Sequence, residues 1–513
     1  MNSRSVSLSA LLIDATPAVQ HGDIDPRTVR AVFSDSREAA RYGSEGLFVA
    51  VSGARYDGHD FAAAVYESGC RIFALSRPLP LPSDALQLIY PDTRIALAAL
   101  SAAFYGHPSR ELTVVGITGT KGKTTTALLA HSLLLRSGIP AGYIGTSGIR
   151  YGSVALETAN TTPESLITQK IMRDMVDNGI RVLVMEVSSQ ALMQSRVYGI
   201  DFDTVVFTNL SPDHIGGAEH PDFESYRAEK QKLFSQFGAR HILLNSDDPN
   251  AFGMLGEKTD ATVETTSVTG NHPDPRLPAP TLAASRPVSA TTRDGFPAIA
   301  FDLIDRTAHI PVTLPLPGIF NAENALLALL ICRTCGLSVK SLAPMLETAS
   351  IPGRCEPIRT DRDLRVICDY AHNEKSLREI LTALRPYTEN RLTVVFGSVG
   401  GRTKNRRAPM GRVASELADL CILTADNPDS EDPASIAEEI RAGFTRDVPC
   451  AVIPDRRDAI RYAIEHAERG DTILLAGKGH ETYQLVNGEK LPFSEREIAE
   501  EALKGTLSAA LPE

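Results

Sequence analysis

The sequence predicts an α/β protein of three domains. The central P-loop-type domain combines a mostly parallel sheet with a small antiparallel sheet, and the C-terminal domain is doubly wound and Rossmann-like. Two observations predict this class. Apolar strand-like runs alternate with helix-like runs through the middle and last third of the chain, which is typical of parallel sheets covered by helices. The length of 513 residues suits about three or four domains of roughly 100–150 residues.

Composition and charge exclude several classes of protein. The net charge of −11, from 52 basic and 63 acidic residues, argues against general nucleic-acid or anionic-membrane binding, which needs a basic surface. The absence of Trp and an aromatic content of 6% argue against a platform for stacking bases. No apolar run reaches about 18 residues, so no membrane-spanning helix is expected.

The cysteines and the N-terminus predict a cytoplasmic location. The seven cysteines are dispersed and odd in number, which is typical of a reducing compartment. The apolar stretch from Leu8 to Ile13 is too short for the core of a signal peptide. Cys332 and Cys335 form a C-x-x-C within an apolar helix-like run, where we expect buried small residues.

The first predicted domain covers residues 1–108. Its strand-like runs are GLFVAVSG, CRIFALS and ALQLIY, and a helix-like run, RIALAALSAAFYG, leads to a linker at His-Pro-Ser. The second domain covers residues 109–350 and begins with LTVVGITGTKGKTTTALLAHSLLLRSG, an apolar strand, a glycine-rich turn and a helix. The buried-type strands RVLVMEV, TVVFTNL and HILLN follow.

The end of the second domain has a different composition and a different hydrophobic pattern. Between residues 265 and 317 proline and threonine increase, and the alternating runs AIAFDLI and AHIPVTLPL predict the small antiparallel sheet. The third domain covers residues 351–513. Its strand-like runs LRVICDYAH, LTVVFGS, LCILTADNP and TILLAGKG are each followed by a helical run, which predicts the doubly wound arrangement.

The segment GITGTKGKT, residues 116–124, is a variant phosphate-binding loop. A strict G-x-x-x-x-G-K-[ST] pattern needs glycine where this chain has Ile117, so we expect Gly119 to make the turn. Backbone N–H groups and the following helix would face a triphosphate, with Lys123 at the β- and γ-phosphates and Thr124 at Mg²⁺. The predicted ATP-binding residues of the loop are Gly119, Thr120, Lys121, Gly122, Lys123, Thr124 and Thr125.

The loop GTKGKTTT resembles that of the Mur ligase and folylpolyglutamate synthetase superfamily, which contains ATP-dependent amide-forming enzymes. Further motifs resemble the Mur ligases that add the third residue of the peptidoglycan stem peptide. They are SDSREAARYGSEGLFVAVSG, MEVSSQALMQSRVYG, YRAEKQKLF, LPGIFNAENAL, GRCEPI, DYAHN, DNPDSEDP and AGKGHE. The resemblance implies that a diamino acid is added to UDP-N-acetylmuramoyl-L-alanyl-D-glutamate through an acyl phosphate, with ATP and Mg²⁺ as cofactors.

The resemblance also implies site residues. The metal set is Thr124, Glu186, His214 and a carbamylated Lys230, and the catalytic set is Lys123, Glu186, His214, Lys230 and Asp369. The other ATP contacts are Asn209, Asn321, Asn324, Arg354, Asp369 and His372. The UDP-dipeptide contacts are Ser36, Asn160, Thr161, Thr162, Ser188 and Arg196. Carboxylate and hydroxyl oxygens suit Mg²⁺, and a carbamate would turn the lysine cation into an anion.

The amino acid to be added would lie in the third domain. The implied contacts are Arg402, Asp426, Asn427, Asp429, Gly477 and Glu481. Family members that add meso-diaminopimelate have Asp-Asn-Pro-Arg, whose arginine pairs with the distal carboxylate, whereas this chain ends the motif with Asp429. Two unit charges at 4 Å interact by about 4 kcal/mol at an effective dielectric of about 20, before desolvation. Asp429 should therefore repel a distal carboxylate and attract a distal ammonium.

We expect L-lysine, with L-ornithine second and meso-diaminopimelate as a further alternative. Glu481 would add a second anion and Arg402 would hold the α-carboxylate. The segment SPDHIGGAEHPDFESY also resembles the lysine-adding branch. Two stretches depart from the family pattern, since Gln190 stands where the family often has histidine, and FGSVGGRT stands for FGCGGDRD.

Two other functions compete with this prediction. One is a folylpolyglutamate-type ligase, and the other is a non-catalytic ATP-binding scaffold with a decayed site. The SDSRE and GKGHE segments favour the tripeptide synthetase, and the intact Lys123, Glu186 and Lys230 argue against decay. The expected partners are the UDP-N-acetylmuramoyl dipeptide and a free diamino acid, with no nucleic acid and no membrane insertion, and the chain is expected to be a monomer.

Overall fold

The structure is a computed structural model that describes residues 4–53, 56–212, 215–216, 219–255, 259–270, 274–305, 308–401 and 404–508, with the backbone alone for 506–508. It consists of two compact units. The N-terminal unit comprises Met1–Glu264 and Arg276–Pro278, and the C-terminal unit comprises Thr265–Pro275 and Ala279–Glu513. The finer division into three domains, at residues 108 and 350, stays a prediction.

The N-terminal unit opens with a region built around a five-stranded sheet. The elements of this region are β1 (Val6–Ser7), α1 (Leu8–Asp14), β2 (Val19–His21), β3 (Thr28–Val29), β4 (Ala31–Phe33), α2 (Ala39–Tyr42), β5 (Gly46–Val49), α3 (Ala62–Glu67), β6 (Ile72–Leu75), β7 (Leu86–Ile89) and α4 (Thr93–Phe104). The strand order of the sheet is β2-β7-β6-β5-β4, in which β4 to β7 are parallel and β2 is antiparallel to β7. The predicted strand runs of this region form β5, β6 and β7, and apolar side chains are buried in two clusters.

The second sheet of this unit carries the phosphate loop. Its elements are β8 (Thr113–Thr118), α5 (Lys123–Arg136), β9 (Ala141–Gly145), β10 (Gly148–Tyr151), β11 (Val154–Leu156), α6 (Ser165–Asp177), β12 (Val182–Glu186), α7 (Ser189–Met193), β13 (Thr204–Phe207), α8 (Phe223–Ser235), β14 (His241–Asn245) and α9 (Ala251–Met254). The strand order is β11-β10-β9-β12-β8-β13-β14, with β9, β12, β8, β13 and β14 parallel. Glu186 pairs in register with Ile117, so the carboxyl end of β12 lies beside the start of the loop.

The C-terminal unit begins with the small antiparallel sheet that the sequence predicts. Its elements are β15 (Thr262–Ser267, which starts in the N-terminal unit), β16 (Leu282–Thr291), β17 (Pro297–Asp305), β18 (Ala308–Leu314), α10 (Ile319–Thr334) and α11 (Val339–Leu342). Strands β16, β17 and β18 form an antiparallel meander. Cys332 is buried in α10, and Cys335 directly follows this helix. Of the helices described, none is long and apolar enough to cross a membrane.

The rest of the C-terminal unit is the predicted doubly wound domain. Its elements are β19 (Glu356–Ile358), β20 (Arg365–Asp369), α12 (Glu374–Leu384), β21 (Leu392–Phe396), α13 (Arg407–Leu417), β22 (Leu420–Leu423), α14 (Pro433–Arg441), β23 (Cys450–Val452), α15 (Arg456–Glu465), β24 (Thr472–Ala476), β25 (Tyr483–Val486), β26 (Glu489–Pro492) and α16 (Glu495–Ser508). The strand order is β19-β20-β24-β21-β22-β23, parallel from β20 to β23. Asp369 ends β20, and Asp426 and Gly477 follow β22 and β24. Predicted site residues therefore gather at the carboxyl edge, where this fold binds ligands.

Candidate active site

The phosphate loop has the backbone that its glycines predict. Gly119 and Gly122 have φ values of 149° and 85°, and α5 begins directly after Gly122. A Cβ atom on Gly119 would lie 2.0 Å from the Thr208 hydroxyl and 3.0 Å from the Asn209 carbonyl oxygen. Gly119 is thus required both by its positive φ and by the close approach of the β13 end.

Replacing Gly119 by alanine is expected to lower the unfolding free energy on the order of 1–3 kcal/mol, because the methyl group meets the Thr208 hydroxyl in a strained conformation. Calorimetric melting of the variant tests this. The control is Gly138→Ala, at a φ of 79° with no atom within 4 Å of the added Cβ. Equal losses in the two variants would mean that the Thr208 contact does not matter.

Residues after β13 hold the loop by its backbone. The Asn209 side chain accepts from the Lys121 N–H at 2.9 Å and donates to the Lys121 carbonyl at 3.2 Å. The Thr208 hydroxyl donates to the same carbonyl at 2.6 Å, and the Asn209 carbonyl accepts from the Thr120 N–H at 2.8 Å. The structure thus gives the Asn209 amide a loop-holding role, and its contact with adenine stays a prediction.

Two lysines donate to one carbonyl of the loop. Lys123 Nζ lies 2.9 Å from the Gly119 oxygen and 3.1 Å from the Thr120 oxygen, and Lys230 Nζ lies 2.9 Å from the same Gly119 oxygen. Lys230 is buried, and its ammonium lies 4.7 Å from the centre of the Tyr226 ring. Two ammonium groups so close to backbone N–H groups make this loop suited to a polyanion.

Glu186 and Thr124 meet beside the loop, as the sequence predicts. The Thr124 hydroxyl donates to Glu186 Oε2 at 3.0 Å, and the Thr146 hydroxyl lies 3.2 Å from the same oxygen. Glu186 Oε1 accepts from the Tyr143 hydroxyl at 2.6 Å and from the Thr146 N–H at 3.0 Å. Glu186 is 0% exposed. These four donors are neutral, so the buried carboxylate and the Thr124 hydroxyl fit a hard divalent cation.

The remaining members of the predicted metal set do not complete a site in the structure. His214 lies outside the described residues. Lys230 as an ammonium cannot ligate a metal, so its role depends on the carbamate. Within the described ranges, no group of three His, Cys, Asp or Glu side chains is arranged for a metal ion. The metal site therefore stays a prediction.

Tyr143 and Thr146 were not predicted from the sequence. Tyr143 lies in the middle of β9, in AGYIGTSG, and Thr146 directly follows this strand. Only Thr146 lies at the carboxyl end of a strand, the kind of position that singled out Glu186. Burial, and next the nearby Glu186 charge, hold the pKa of Tyr143 well above its usual range, so its hydroxyl remains a donor.

Replacing Tyr143 by phenylalanine is expected to lower the unfolding free energy by about 1.5–3 kcal/mol, because a hydrogen bond to a buried carboxylate is lost. Denaturant unfolding measures the change. Tyr151→Phe is the control, since its hydroxyl donates to Asp174, which is only partly buried. A loss for Tyr143→Phe no greater than for the control would contradict this account.

Three of the predicted UDP-dipeptide residues lie together. Thr162 donates to the Glu186 carbonyl at 2.8 Å and accepts from the Ser188 N–H at 3.1 Å. Arg196 Nη1 donates to the Thr162 carbonyl at 3.0 Å, and its Nε lies 3.0 Å from Glu164. Thr162, Ser188 and Arg196 are therefore linked to the strand end that carries Glu186.

The other three predicted UDP-dipeptide residues lie in different places. The Thr161 hydroxyl lies 3.1 Å from that of Thr146, Asn160 is exposed, and Ser36 lies on the helical turn Ser36–Glu38 after β4. The structure thus links Thr161 to the Glu186 network.

The predicted ATP residues of the C-terminal unit form two groups. Asn321 donates to the Pro317 carbonyl at 2.8 Å and accepts from the Asn324 amide at 3.2 Å, both buried at the start of α10. Asp369 accepts from the Cys355 and Ala371 N–H groups at 2.8 Å each.

Arg354 and His372 contact Tyr370, the residue that follows Asp369. The Arg354 guanidinium lies 4.8 Å from the centre of the Tyr370 ring, and His372 Nδ1 lies 2.8 Å from the Tyr370 carbonyl oxygen. Burial raises the pKa of Asp369, and Arg354 counteracts this. The structure therefore brings these three predicted residues together.

A buried lysine organises the predicted amino-acid site. Lys478 Nζ donates to Asn427 Oδ1 at 2.9 Å and to Glu481 Oε2 at 2.7 Å, and lies 3.7 Å from Asp426. Asn427 also donates to Glu481 at 3.0 Å. Lys478 was not predicted from the sequence, although it lies between Gly477 and Glu481 in the motif AGKGHE. Glu481 is thus already paired with a cation and is not the uncompensated second anion that we expected.

Asp429 anchors a hairpin. It has a φ of 52°, and its Oδ1 accepts from the Gly488 N–H at 2.8 Å, in the turn between β25 and β26. A Cβ on Gly401 would lie 3.8 Å from the other carboxylate oxygen. Arg402 follows Gly401 and lies outside the described residues. Asp429 therefore combines a turn-holding role with a negative charge at the sheet's carboxyl edge.

Comparisons with known proteins cover almost the whole chain. Residues 117–332 match the family described as Mur ligase middle domain, and residues 353–479 match Mur ligase, glutamate ligase domain. The UDP-N-acetylmuramoyl-L-alanyl-D-glutamate--2,6-diaminopimelate ligase of Geobacillus kaustophilus is 37% identical over 508 residues, 95% of this chain and 96% of its own. The ligase of that name from Chlorobaculum tepidum is 41% identical over 486 residues, 93% of each chain.

A solved structure bearing the same name has the same fold. Its TM-score is 0.68 at 26% identity, and the match covers 98% of this chain and 99% of the other. The resemblance carried by the sequence motifs is thereby confirmed in sequence and in fold. The chain belongs to the Mur ligase family of ATP-dependent ligases.

Proposed function

We propose that this protein joins a diamino acid to UDP-N-acetylmuramoyl-L-alanyl-D-glutamate, with conversion of ATP to ADP and phosphate, in peptidoglycan precursor synthesis. The observation that carries the proposal is the buried Thr124–Glu186 contact beside the phosphate loop, in a chain that matches ligases of this name over nearly its full length. We also propose a cytoplasmic location, which the dispersed and odd set of seven cysteines supports.

The proposed reaction has two steps. A carboxylate oxygen of the dipeptide attacks the γ-phosphorus of ATP, and ADP leaves. The amine of the incoming amino acid, after losing a proton, attacks the acyl carbon, and phosphate leaves as the amide forms. The loop N–H groups and Lys123 would hold the phosphates and offset the charge on the transferring group.

A magnesium ion would be held by Thr124, Glu186 and His214, and would supply further neutralisation of phosphate charge. We also propose that Lys230 is carbamylated. In the structure its ammonium donates to the Gly119 carbonyl, and a carbamate would place an anion there instead. Intact-protein mass under a CO₂-rich atmosphere is expected to show the adduct, and an unmodified, fully active protein would exclude it.

The remaining assignments rest on the resemblance of the sequence motifs to those of the family. Asn209, Asn321, Asn324, Arg354, Asp369 and His372 are proposed as further ATP contacts. Ser36, Asn160, Thr161, Thr162, Ser188 and Arg196 are proposed for the UDP-dipeptide, with Arg196 suited to a carboxylate. Arg402, Asp426, Asn427, Asp429, Gly477 and Glu481 are proposed for the incoming amino acid.

Two observations favour different amino acids. The curated relatives carry 2,6-diaminopimelate in their names, which supports that substrate here. Asp429, where diaminopimelate-adding members have arginine, supports L-lysine or L-ornithine, because a carboxylate there opposes a second carboxylate on the substrate. Since Lys478 neutralises Glu481, the charge argument for a cationic substrate now depends on Asp429 alone.

An acceptor screen tests the proposed ligase reaction. Phosphate release from ATP is measured with UDP-N-acetylmuramoyl dipeptide or with a reduced folate as acceptor, each with its amino acid. We expect stimulation by the dipeptide nucleotide only. Stimulation by the folate would favour a folylpolyglutamate-type ligase, and ATP binding without release by either acceptor would favour a non-catalytic scaffold.

A further inference from the structure

Arg456 makes an unusual set of contacts in the C-terminal unit. It is the first residue of α15, and its side chain is 0% exposed. Its guanidinium donates to Glu495 Oε1 from Nε at 2.9 Å and from Nη2 at 2.6 Å. The same guanidinium donates to the Ala425 carbonyl from Nη1 at 3.1 Å and to the Ala476 carbonyl from Nη2 at 2.7 Å.

These two carbonyls belong to the two segments that carry the proposed amino-acid site. Ala425 directly precedes Asp426, and Ala476 directly precedes Gly477. Their strands, β22 and β24, are separated by β21 in the sheet, so no strand pairing joins them. Arg456 bridges the end of β24 and the segment that follows β22, and thereby fixes their separation.

The segments that begin at Asp426 and at Gly477 are closely packed against each other. A Cβ on Gly477 would lie 3.0 Å from Asp426 Oδ2 and 3.8 Å from Arg456 Nη2. Beyond it, Lys478 reaches across to Asn427 at 2.9 Å. A small change in the separation of the two strand ends would therefore change the position of every polar group in the cluster.

Stability alone does not explain the buried ion pair of Arg456 and Glu495. Charges taken fully out of water pay a desolvation penalty, and apolar residues of similar volume often replace a buried ion pair without loss of stability. Glu495 Oε2 has no hydrogen-bond partner within the described part of the chain. The bridge between the two carbonyls is a geometric feature that an apolar pair could not reproduce.

We propose that Arg456, oriented by Glu495, is a positioning residue for the incoming amino acid. It holds the segment that begins at Asp426 and the segment that begins at Gly477 at the spacing that the substrate needs. This inference rests on the proposed function, because it takes that cluster as the amino-acid site.

The test uses the full-length double variant Arg456→Met with Glu495→Leu. The KM for the diamino acid is expected to rise about 10- to 100-fold, since small displacements of positioning groups have effects of this size. The KM values for ATP and the dipeptide nucleotide should change less than about 2-fold. Arg456→Lys, which keeps the charge but not the fork, should give a smaller rise in the same KM.

Arg391→Met is the matched control. Arg391 pairs with Asp471 at 2.8 Å and donates to the His466 carbonyl, at the amino end of the same sheet. It should lower the melting temperature and leave the KM for the diamino acid unchanged.

An unchanged KM for the diamino acid in the folded double variant would overturn the inference. If that variant does not fold, an unchanged KM in Arg456→Lys overturns it equally. Activity of the wild-type protein with the dipeptide nucleotide tests the proposed function by itself, and the ratio of variant to wild-type KM tests the positioning role.

Discussion

Replacing Lys123 by alanine is expected to lower kcat by about 100- to 1,000-fold, because removal of one preorganised electrostatic donor has effects of this size. Lys123 begins α5, and its ammonium is held by the Gly119 and Thr120 carbonyls within the loop. Phosphate release at saturating ATP, dipeptide nucleotide and amino acid measures the loss.

Lys232→Ala provides the control for Lys123→Ala. Lys232 lies on α8 and pairs with Glu229 at 2.7 Å, partly exposed, so its loss should leave kcat within about 2-fold, as for most surface charges. A Lys123→Ala variant with near wild-type kcat would show that the loop does not hold the transferring phosphoryl group.

The second large effect is expected for Asp429→Asn, which should shift the ratio of kcat/KM for lysine to that for diaminopimelate by about 10- to 100-fold towards diaminopimelate. The expected shift corresponds to roughly 1.4–2.8 kcal/mol, below the full charge–charge energy because Asp429 is partly exposed to solvent. The direction holds whichever amino acid the wild-type protein prefers.

Asparagine removes the charge at this position and preserves the local structure. It tolerates a positive φ and its carbonyl oxygen can still accept from the Gly488 N–H. An unchanged melting temperature would therefore separate charge from turn geometry. Asp429→Arg should shift the ratio further in the same direction. No shift in either variant would mean that Asp429 serves the hairpin only.

Much of the fold could be predicted because its signals are local. The strand, glycine turn and helix from Thr113 to Arg136 follow from one apolar run, two glycines and a helical pattern. The alternating runs that form β17 and β18 predicted the antiparallel sheet in the same way. The meeting of Thr124 and Glu186 was also predictable, since Glu186 ends β12 and Thr124 lies in the helix after β8, the adjacent parallel strand.

The partners of buried polar groups could not be predicted. Tyr143 and Glu186 are 43 positions apart, and Arg456 and Glu495 are 39 apart, so only the folded sheet brings them together. Glu481 shows the consequence most clearly. Its charge alone suggested selection of a cationic substrate, whereas the buried Lys478 three positions earlier already neutralises it.

The central claim is tested most directly by the product formed from ATP, UDP-N-acetylmuramoyl-L-alanyl-D-glutamate and an equimolar mixture of L-lysine, L-ornithine and meso-diaminopimelate. Mass spectrometry is expected to show the nucleotide extended by one diamino-acid residue, with one ADP and one phosphate released per amide formed. ATP turnover without any extended nucleotide, or no turnover with all three amino acids, would contradict the assignment of this chain as the ligase that adds the third residue.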